Sequence, residues 1–349
     1  MQIPEASGKC GKKSANPLAF IILSVLLLVL ISLSFLLGRF GLSPGAVFEG
    51  IRSILREGIH TDTDIVQAIL VNIRFPRIIA AVLVGAALAT AGSSYQGIFR
   101  NPMVSPDILG ASAGAGFGAS FGILLGFSAA GIQLVAFIFG LIAVFLSYII
   151  SRIVGRGENV TLILVLSGMV VGSLFGAFIS IIKYTADPLR QLPEITLWLM
   201  GSLATVTNGS LRPVVIPLII GFSTLILVRW RINVLAFGDE EARALGVNTK
   251  LLRGIIIAAA TLITTSVISI SGQIGWIGLV VPHLTRMLVG PDYRKLLPAS
   301  IMTGSIFLLL VDNIARNLFK IEIPLGILTA IIGAPFFVYL LVTGKKGWL

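Results

Sequence analysis

The sequence predicts an all-α integral membrane protein of ten transmembrane helices, and three observations carry that reading. Of 349 residues, 56% are hydrophobic and only 12% charged, with a mean hydropathy of +1.00; soluble domains carry about 25% charged residues. The apolar residues fall in runs of the roughly 20 residues that a membrane span needs. The basic residues collect at the ends of those runs, where flanking charge orients a membrane protein. The net charge of +11 therefore does not point to nucleic acid.

In chain order, span 1 covers Leu18 to Leu37. Lys9, Lys12 and Lys13 precede it and place the N-terminus in the cytoplasm. The run is too long for a signal-peptide core and reads as a retained span. The polar segment from Arg39 to Arg77 contains a short surface helix, with Ser43 as its cap and Pro44 at its first position. Span 2 follows from Ile78 to Phe99, with Pro76 marking its start. No charge occurs from Ile108 to Ser151, which leaves room for span 3 (Pro106 to Leu125) and span 4 (Ile132 to Ser151), with a break near Ser128. Gly110, Gly114, Gly118, Gly122 and Gly126 recur every fourth residue, giving one narrow stripe where another backbone can approach. Packing is the favoured role of that stripe, over contact with a substrate.

Span 5 runs from Val160 to Ile182, again with small residues at Gly168, Gly172 and Gly176. The stretch ITLWLMGSL within Lys183 to Leu211 is too short to cross and reads as a re-entrant or outward-facing helix. Spans 6 to 10 are placed at Pro213–Val228, Gly254–Ser271, Gly275–Val289, Leu297–Ile314 and Ile323–Val342. Both termini then lie inside, as tails 1–17 and 345–349 around one ten-helix membrane domain, 18–344. With this topology 16 of the 26 Lys and Arg residues fall inside and 10 outside. The direction is the expected one, and the outer arginines ask for a reason.

One stretch breaks the apolar pattern: LAFGDEEARALGVNTKLL, from Leu235 to Leu252. Asp239 can cap a helix, Glu240 and Glu241 fall in its first turn, Arg243 lies later, and Gly246 suits a left-handed stop. Leu235, Phe237, Ala242, Leu245 and Val247 offer an apolar side. Such a helix between two spans is either a docking element outside the bilayer or an ordinary polar loop. Asp312, near the end of span 9, is an acid at membrane depth and so a functional candidate. The favoured alternative pairs it with Arg316 at the (i, i+4) spacing.

Several chemistries are excluded. Cys10 is the single cysteine and His60 and His283 the only histidines, so no Cys/His cluster can hold a transition metal. No GxxxxGK[ST] phosphate loop occurs, so the chain is expected to hydrolyse no nucleotide by itself. An ion-coupled secondary transporter would ask for paired charges in mid-span; Asp312 and Arg286 are the nearest to that, and both sit near span ends.

The strings RFPRIIAAVLVGAALATAGSSYQGIFRNPMVSPDILGASAGAGFGA, GDEEARALGV, SGQIGWIGLVVPHLTRMLVGPDYRKLLP and IPLGILTAIIGAPFFVYLL resemble, together and in order, the FecCD-type permeases. Those are the membrane subunits of type II ABC importers for ferric siderophores, haem and cobalamin. The resemblance implies a ten-helix fold paired as a homodimer, two cytoplasmic ATPase subunits that bind ATP and Mg²⁺, and an external substrate-binding protein. It implies no cofactor or metal in this chain. Gly238, Asp239, Glu240, Glu241, Ala242, Arg243, Ala244, Leu245 and Gly246 match the family's coupling helix, which seats in the ATPase. Arg74, Arg77 and Arg316 match arginines that meet acidic residues of the binding protein. Spans 5, 8 and 10 would line the path, with Thr161 as the gate position. Spans 2–5 and 7–10 would form an inverted repeat. Ferric siderophore is the expected cargo, with cobalamin or haem as alternatives.

Overall fold

The chain is described by a computed structural model over residues 17–38, 41–62, 64–155, 160–318 and 321–343. Arg39, Arg156, Lys320, Cys10, the N-terminal lysines and the C-terminal tail lie outside the described residues. Every regular element among those described is helical. Among the described residues seven helices are long and apolar enough to cross a membrane, and three shorter apolar ones accompany them. The seven lie at expected spans 1, 2, 4, 5, 6, 7 and 9, and the shorter three at 3, 8 and 10.

Helix α1 (Pro17–Leu36) is followed by α2 (Pro44–Glu57). Ser43 caps α2 by accepting from the Ala46 amide, with Pro44 at the first position, as the sequence required. Phe48, Ile51 and Leu55 are exposed along one side of α2, and Arg52 and Arg56 lie on the same short helix. Next comes one continuous 35-residue rod, Ile65–Phe99. It consists of α3 (Ile65–Ala68), a wider π-helical stretch Ile69–Arg74, and α4 (Phe75–Phe99). Pro76 therefore does not open the span; it lies inside the rod, directly after the π-helical stretch, and the Val71 carbonyl one turn before it accepts from Asn208 Nδ2 at 3.0 Å.

Span 3 also differs from expectation. After Arg100, which ends α4 in a left-handed conformation (φ 51°), the chain forms a 3₁₀ turn at Pro106–Leu109. Gly110 then breaks the helix at φ 84°, and only Ala111–Leu124 is α-helical (α5). Its 14 residues reach about 21 Å, short of the roughly 30 Å hydrocarbon core. The glycine stripe serves packing, as favoured. A Cβ on Gly114 would stand 2.4 Å from the Phe139 carbonyl oxygen, and one on Gly118 2.5 Å from that of Val135, both on the next helix. Gly110 and Gly126 instead supply left-handed turns.

Helices α6 (Ala129–Val154), α7 (Val160–Thr185), α8 (Gln191–Met200) and α9 (Asn208–Phe237) follow. Helix α8 is the short helix expected near ITLWLMGSL. Helix α9 overruns the expected end at Val228 by nine residues. Arg229 and Arg231 do not stop it, because an arginine is a good helix former and its stem lies along apolar surface; Arg231 reaches over the Trp230 ring. The chain continues with α10 (Asp239–Ala244), α11 (Thr249–Ser271), α12 (Ile277–Val289), α13 (Tyr293–Asn317) and α14 (Leu325–Thr343). Asp292 caps α13 through the Arg294 amide, so the loop expected at Pro291–Lys295 shrinks to its first residues.

Helices α4, α11 and α13 form the core. Helices α4 and α13 cross at Gly85 and Gly304, where a Cβ on either would come within 2.2 Å of the other's carbonyl oxygen. Around this core, α1, α7 and α9 turn Leu28, Val170 and Leu227 outward, which suits a lipid solvent or a second protein surface. The 13-residue α12 is the counterpart of α5. It too follows a non-helical break, 272–276, after a long buried helix. The two short helices are held crosswise. Gln273, in the break before α12, donates Nε2 to the Ser112 carbonyl of α5 at 2.7 Å. Gln96, before the break that leads to α5, points its Nε2 at the Gly278 carbonyl of α12 at 3.4 Å.

Candidate functional site

Two polar constructions stand at opposite ends of the bundle. At one end α4, α6 and α9 finish, α11 begins, and α10 bridges α9 to α11. Helix α10 starts at Gly238 (φ 132°), which replaces Asp239 in the capping role expected from the sequence. A Cβ there would collide with Glu241 Oε2 at 2.2 Å. Asp239 is instead the first helical residue, and its carboxylate takes a fork from Arg253: Nη1 to Oδ2 at 2.8 Å and Nη2 to Oδ1 at 2.7 Å.

The other end of α10 closes as the sequence predicted. Gly246 lies at φ 77°. Its amide donates to the Arg243 carbonyl at 2.9 Å, and the Val247 amide reaches back to Ala242 at 2.9 Å. That pair of bonds is the Schellman stop. Asn248 then caps α11 by accepting from Leu251.

The apolar side expected for this helix is corrected. Leu235 belongs to the end of α9 and is buried, whereas Phe237 and Leu245 stand 74% and 68% exposed. Ala242 is the residue that α10 buries in this chain. Glu240, Glu241, Arg243 and Ala244 are exposed with Leu245. Helix α10 thus presents charged groups flanked by two large exposed apolar side chains. Beside it lies a cleft of about 850 Å³, whose walls include Arg100, Arg152, Lys250, Glu241 and Arg253. Thr161, the expected gate, falls in the first turn of α7; its side chain lies outside the described residues.

At the opposite end the structure gathers the three arginines that the sequence singled out. Arg77 grips Asp312 with Nε at 3.0 Å and Nη2 at 2.9 Å from Oδ1, and reaches Glu322 with Nη1 at 2.9 Å. Arg316 Nε lies 3.1 Å from Asp312 Oδ2, the (i, i+4) pair favoured from spacing. Arg74 donates to the Phe35 carbonyl, and Arg316 to that of Leu37 at 3.3 Å, so both tie down the end of α1. Arg316 also donates to Asn313 Oδ1, and Asn313 donates to Ser34 Oγ at 2.7 Å.

These arginines are not surface groups. Arg74, Arg77 and Arg316 are 3%, 7% and 5% exposed, and Asp312 is fully buried. Charged groups sink this deep only when they are paired, and here the partners come from the same chain. Spacing in the sequence points to neither the Arg77–Glu322 pair nor the Asp239–Arg253 pair. An acid in a short loop followed by a base in the first turns of the next span was the available signal for the Asp239–Arg253 pair. No local signal links Arg77 to Asp312, 235 residues apart.

The sequence pattern of the FecCD transport family matches residues 26–343. A molybdate import system permease protein, MolB, of Haemophilus influenzae is 39% identical over 325 residues, covering 93% of this chain and 95% of that one. A protein of Helicobacter pylori named for iron chelatin transport as a permease is 38% identical over 273 residues, 78% of this chain and 82% of that one. Among solved structures, an inward-facing metal-chelate type ABC transporter superposes with a TM-score of 0.83 at 38% identity, covering 94% of this chain and 99% of that one. An all-helical membrane chain with this likeness is an ABC transporter permease. It belongs to the FecCD transport family.

Proposed function

We propose that this chain is the translocating subunit of an ATP-driven importer, and that its cargo is a chelated metal, with ferric siderophore first. The observation that carries the reading is α10. A six-residue helix with left-handed glycines at both ends exposes Glu240, Glu241, Arg243, Phe237 and Leu245 beside a charged cleft. On this reading residues Gly238 to Gly246 seat in a cytoplasmic ATPase, which binds ATP and Mg²⁺ and performs the hydrolysis. Two copies of the chain pair around the path, with both termini in the cytoplasm of a cell-membrane protein. ATP binding drives the change of access through contacts that differ between the two states.

The opposite end then faces the binding protein. Arg74, Arg77 and Arg316 set three positive charges against the two of Asp312 and Glu322. Glu322, with a quarter of its side chain exposed, is the member that an incoming carboxylate displaces. Such a contact contributes orientation and encounter rate more than affinity.

A second cargo, molybdate, is favoured by the match to MolB over nearly its whole length. The test is uptake into proteoliposomes holding this chain, its ATPase and its binding protein, with labelled ferric siderophore, haem, corrinoid or molybdate outside. ATP-dependent accumulation that needs the binding protein supports the importer, and the accumulated label names the cargo. Accumulation driven by an ion gradient without ATP overturns it in favour of secondary transport.

A further inference from the structure

We infer that Arg253 is a positioning residue: its fork to Asp239 fastens the coupling helix α10 to the transmembrane core, so that movement of α10 is delivered to α11. The inference rests on the importer reading for its functional half and on geometry alone for its mechanical half.

Helix α10 is joined to the chain through Gly238 and Gly246, both at positive φ. A two-hinged helix of six residues would swing without moving its neighbours unless something else tied it down. Inside this chain Ala242 is its buried side chain, and a methyl group transmits little sideways load. The Asp239–Arg253 fork, with contacts of 2.7 and 2.8 Å, supplies the tie. Two parallel N–H···O bonds fix orientation as well as distance, which a single ammonium contact does not. The fork is sheltered: the side chains keep 17% and 27% of their surface. Arg253 Nε is buried with no hydrogen-bond partner among the described residues, so the guanidinium is committed to the carboxylate by its two terminal nitrogens.

The anchor point is well placed. Arg253 stands in the second turn of α11, and nearly all of α11 from Ile256 to Ser271 is buried. At its far end, two residues on, Gln273 holds the start of α5 through Ser112. A displacement applied at Asp239 is therefore carried along a rigid, enclosed helix to the break between α11 and α12. Arg100, Lys250 and Glu241 line the same cleft, but none of them forms the fork.

Two experiments test this. In the chain alone, held in nanodiscs, amide exchange of residues 238–247 should quicken at least tenfold in R253Q, with the interior of α11 unchanged. R253K should fall between R253Q and wild type. Exchange equal to wild type in R253Q overturns the clamp. In the reconstituted importer, R253Q should lower cargo moved per ATP hydrolysed at least fivefold, and the exchanged pair D239R/R253D should recover half or more of it. Wild-type stoichiometry in R253Q overturns the coupling role. A wild-type complex that fails to take up cargo with ATP, while R253Q still loosens α10, supports the clamp and removes the importer reading instead.

Discussion

Replacing Asp312 by asparagine keeps its volume and removes one negative charge from a site with no access to solvent. Arg77 and Arg316 both contact that carboxylate at 2.9–3.1 Å, so D312N leaves three buried guanidinia against Glu322 alone. Deleting one partner of a buried ion pair costs about 3–5 kcal/mol. Glu322 remains 2.9 Å from Arg77 Nη1 and is partly exposed, which favours the lower half of that range. For a chain of this size the corresponding fall in melting midpoint is roughly 5 °C. The assay is tryptophan fluorescence of the purified protein, heated at one fixed rate, for wild type, D312N, R77M and the double variant. Because both side chains belong to one network, the two losses should fall short of additivity by about 1–3 kcal/mol. A D312N midpoint within about 1 °C of wild type, or strictly additive losses, would refute the view that this cluster holds α1, α4 and α13 together.

Four further outcomes follow from the geometry. G304V places side-chain carbon against the Gly85 carbonyl, which a Cβ would meet at 2.2 Å; overpacking of about 1–3 kcal/mol should appear as a lower melting midpoint and poorer yield of folded protein. Q273L removes the side-chain donor that the Ser112 carbonyl has beside its own helix bond and should cost about 0.5–1.5 kcal/mol, read by the same melting assay and by faster amide exchange in the first turn of α5. L245E puts a charge on the exposed apolar side chain beside α10 and should reduce co-purification of the ATPase at least tenfold without lowering the midpoint of the chain alone. Phe48, exposed on α2, should meet lipid: F48W in nanodiscs should emit at short wavelength and be quenched by lipids brominated near the headgroup.

The long helices were legible because their signal is local: a run of apolar residues bounded by charge. So was the Ser43–Pro44 start of α2, since a cap and its amide lie three residues apart. Where α5 begins was not legible, because nothing singles out Gly110, where the left-handed break falls, from the glycines every fourth residue after it; the break before α12 was, since span 7 was expected to end at Ser271, as α11 does. The end of α9 was missed for the opposite reason, since charge at Arg229 and Arg231 resembles a membrane boundary but does nothing to stop a helix. At the site, the Gly246 stop was visible because left-handed backbone has a residue preference. The burial of Arg74, Arg77 and Arg316 was not, because it depends on acids brought from α13 and from the segment before α14. The family resemblance marked those arginines as a group; only the fold reveals their internal partners.

The π-helical stretch at Ile69–Arg74 carries a consequence for how this chain can change its length. A π turn holds one residue more than an α turn, so the rod from Ile65 to Phe99 contains, in effect, a retained insertion. The wide turn absorbs the extra residue locally, so deleting one residue between Ile69 and Ile73 would regularise the helix and leave Arg74, Arg77 and the rest of α4 in place. The same deletion inside α4 would turn everything before it by about 100° and pull Arg77 away from Asp312. A single-residue deletion should therefore be better tolerated in the π stretch than in α4, a contrast that a deletion scan along the rod would expose directly.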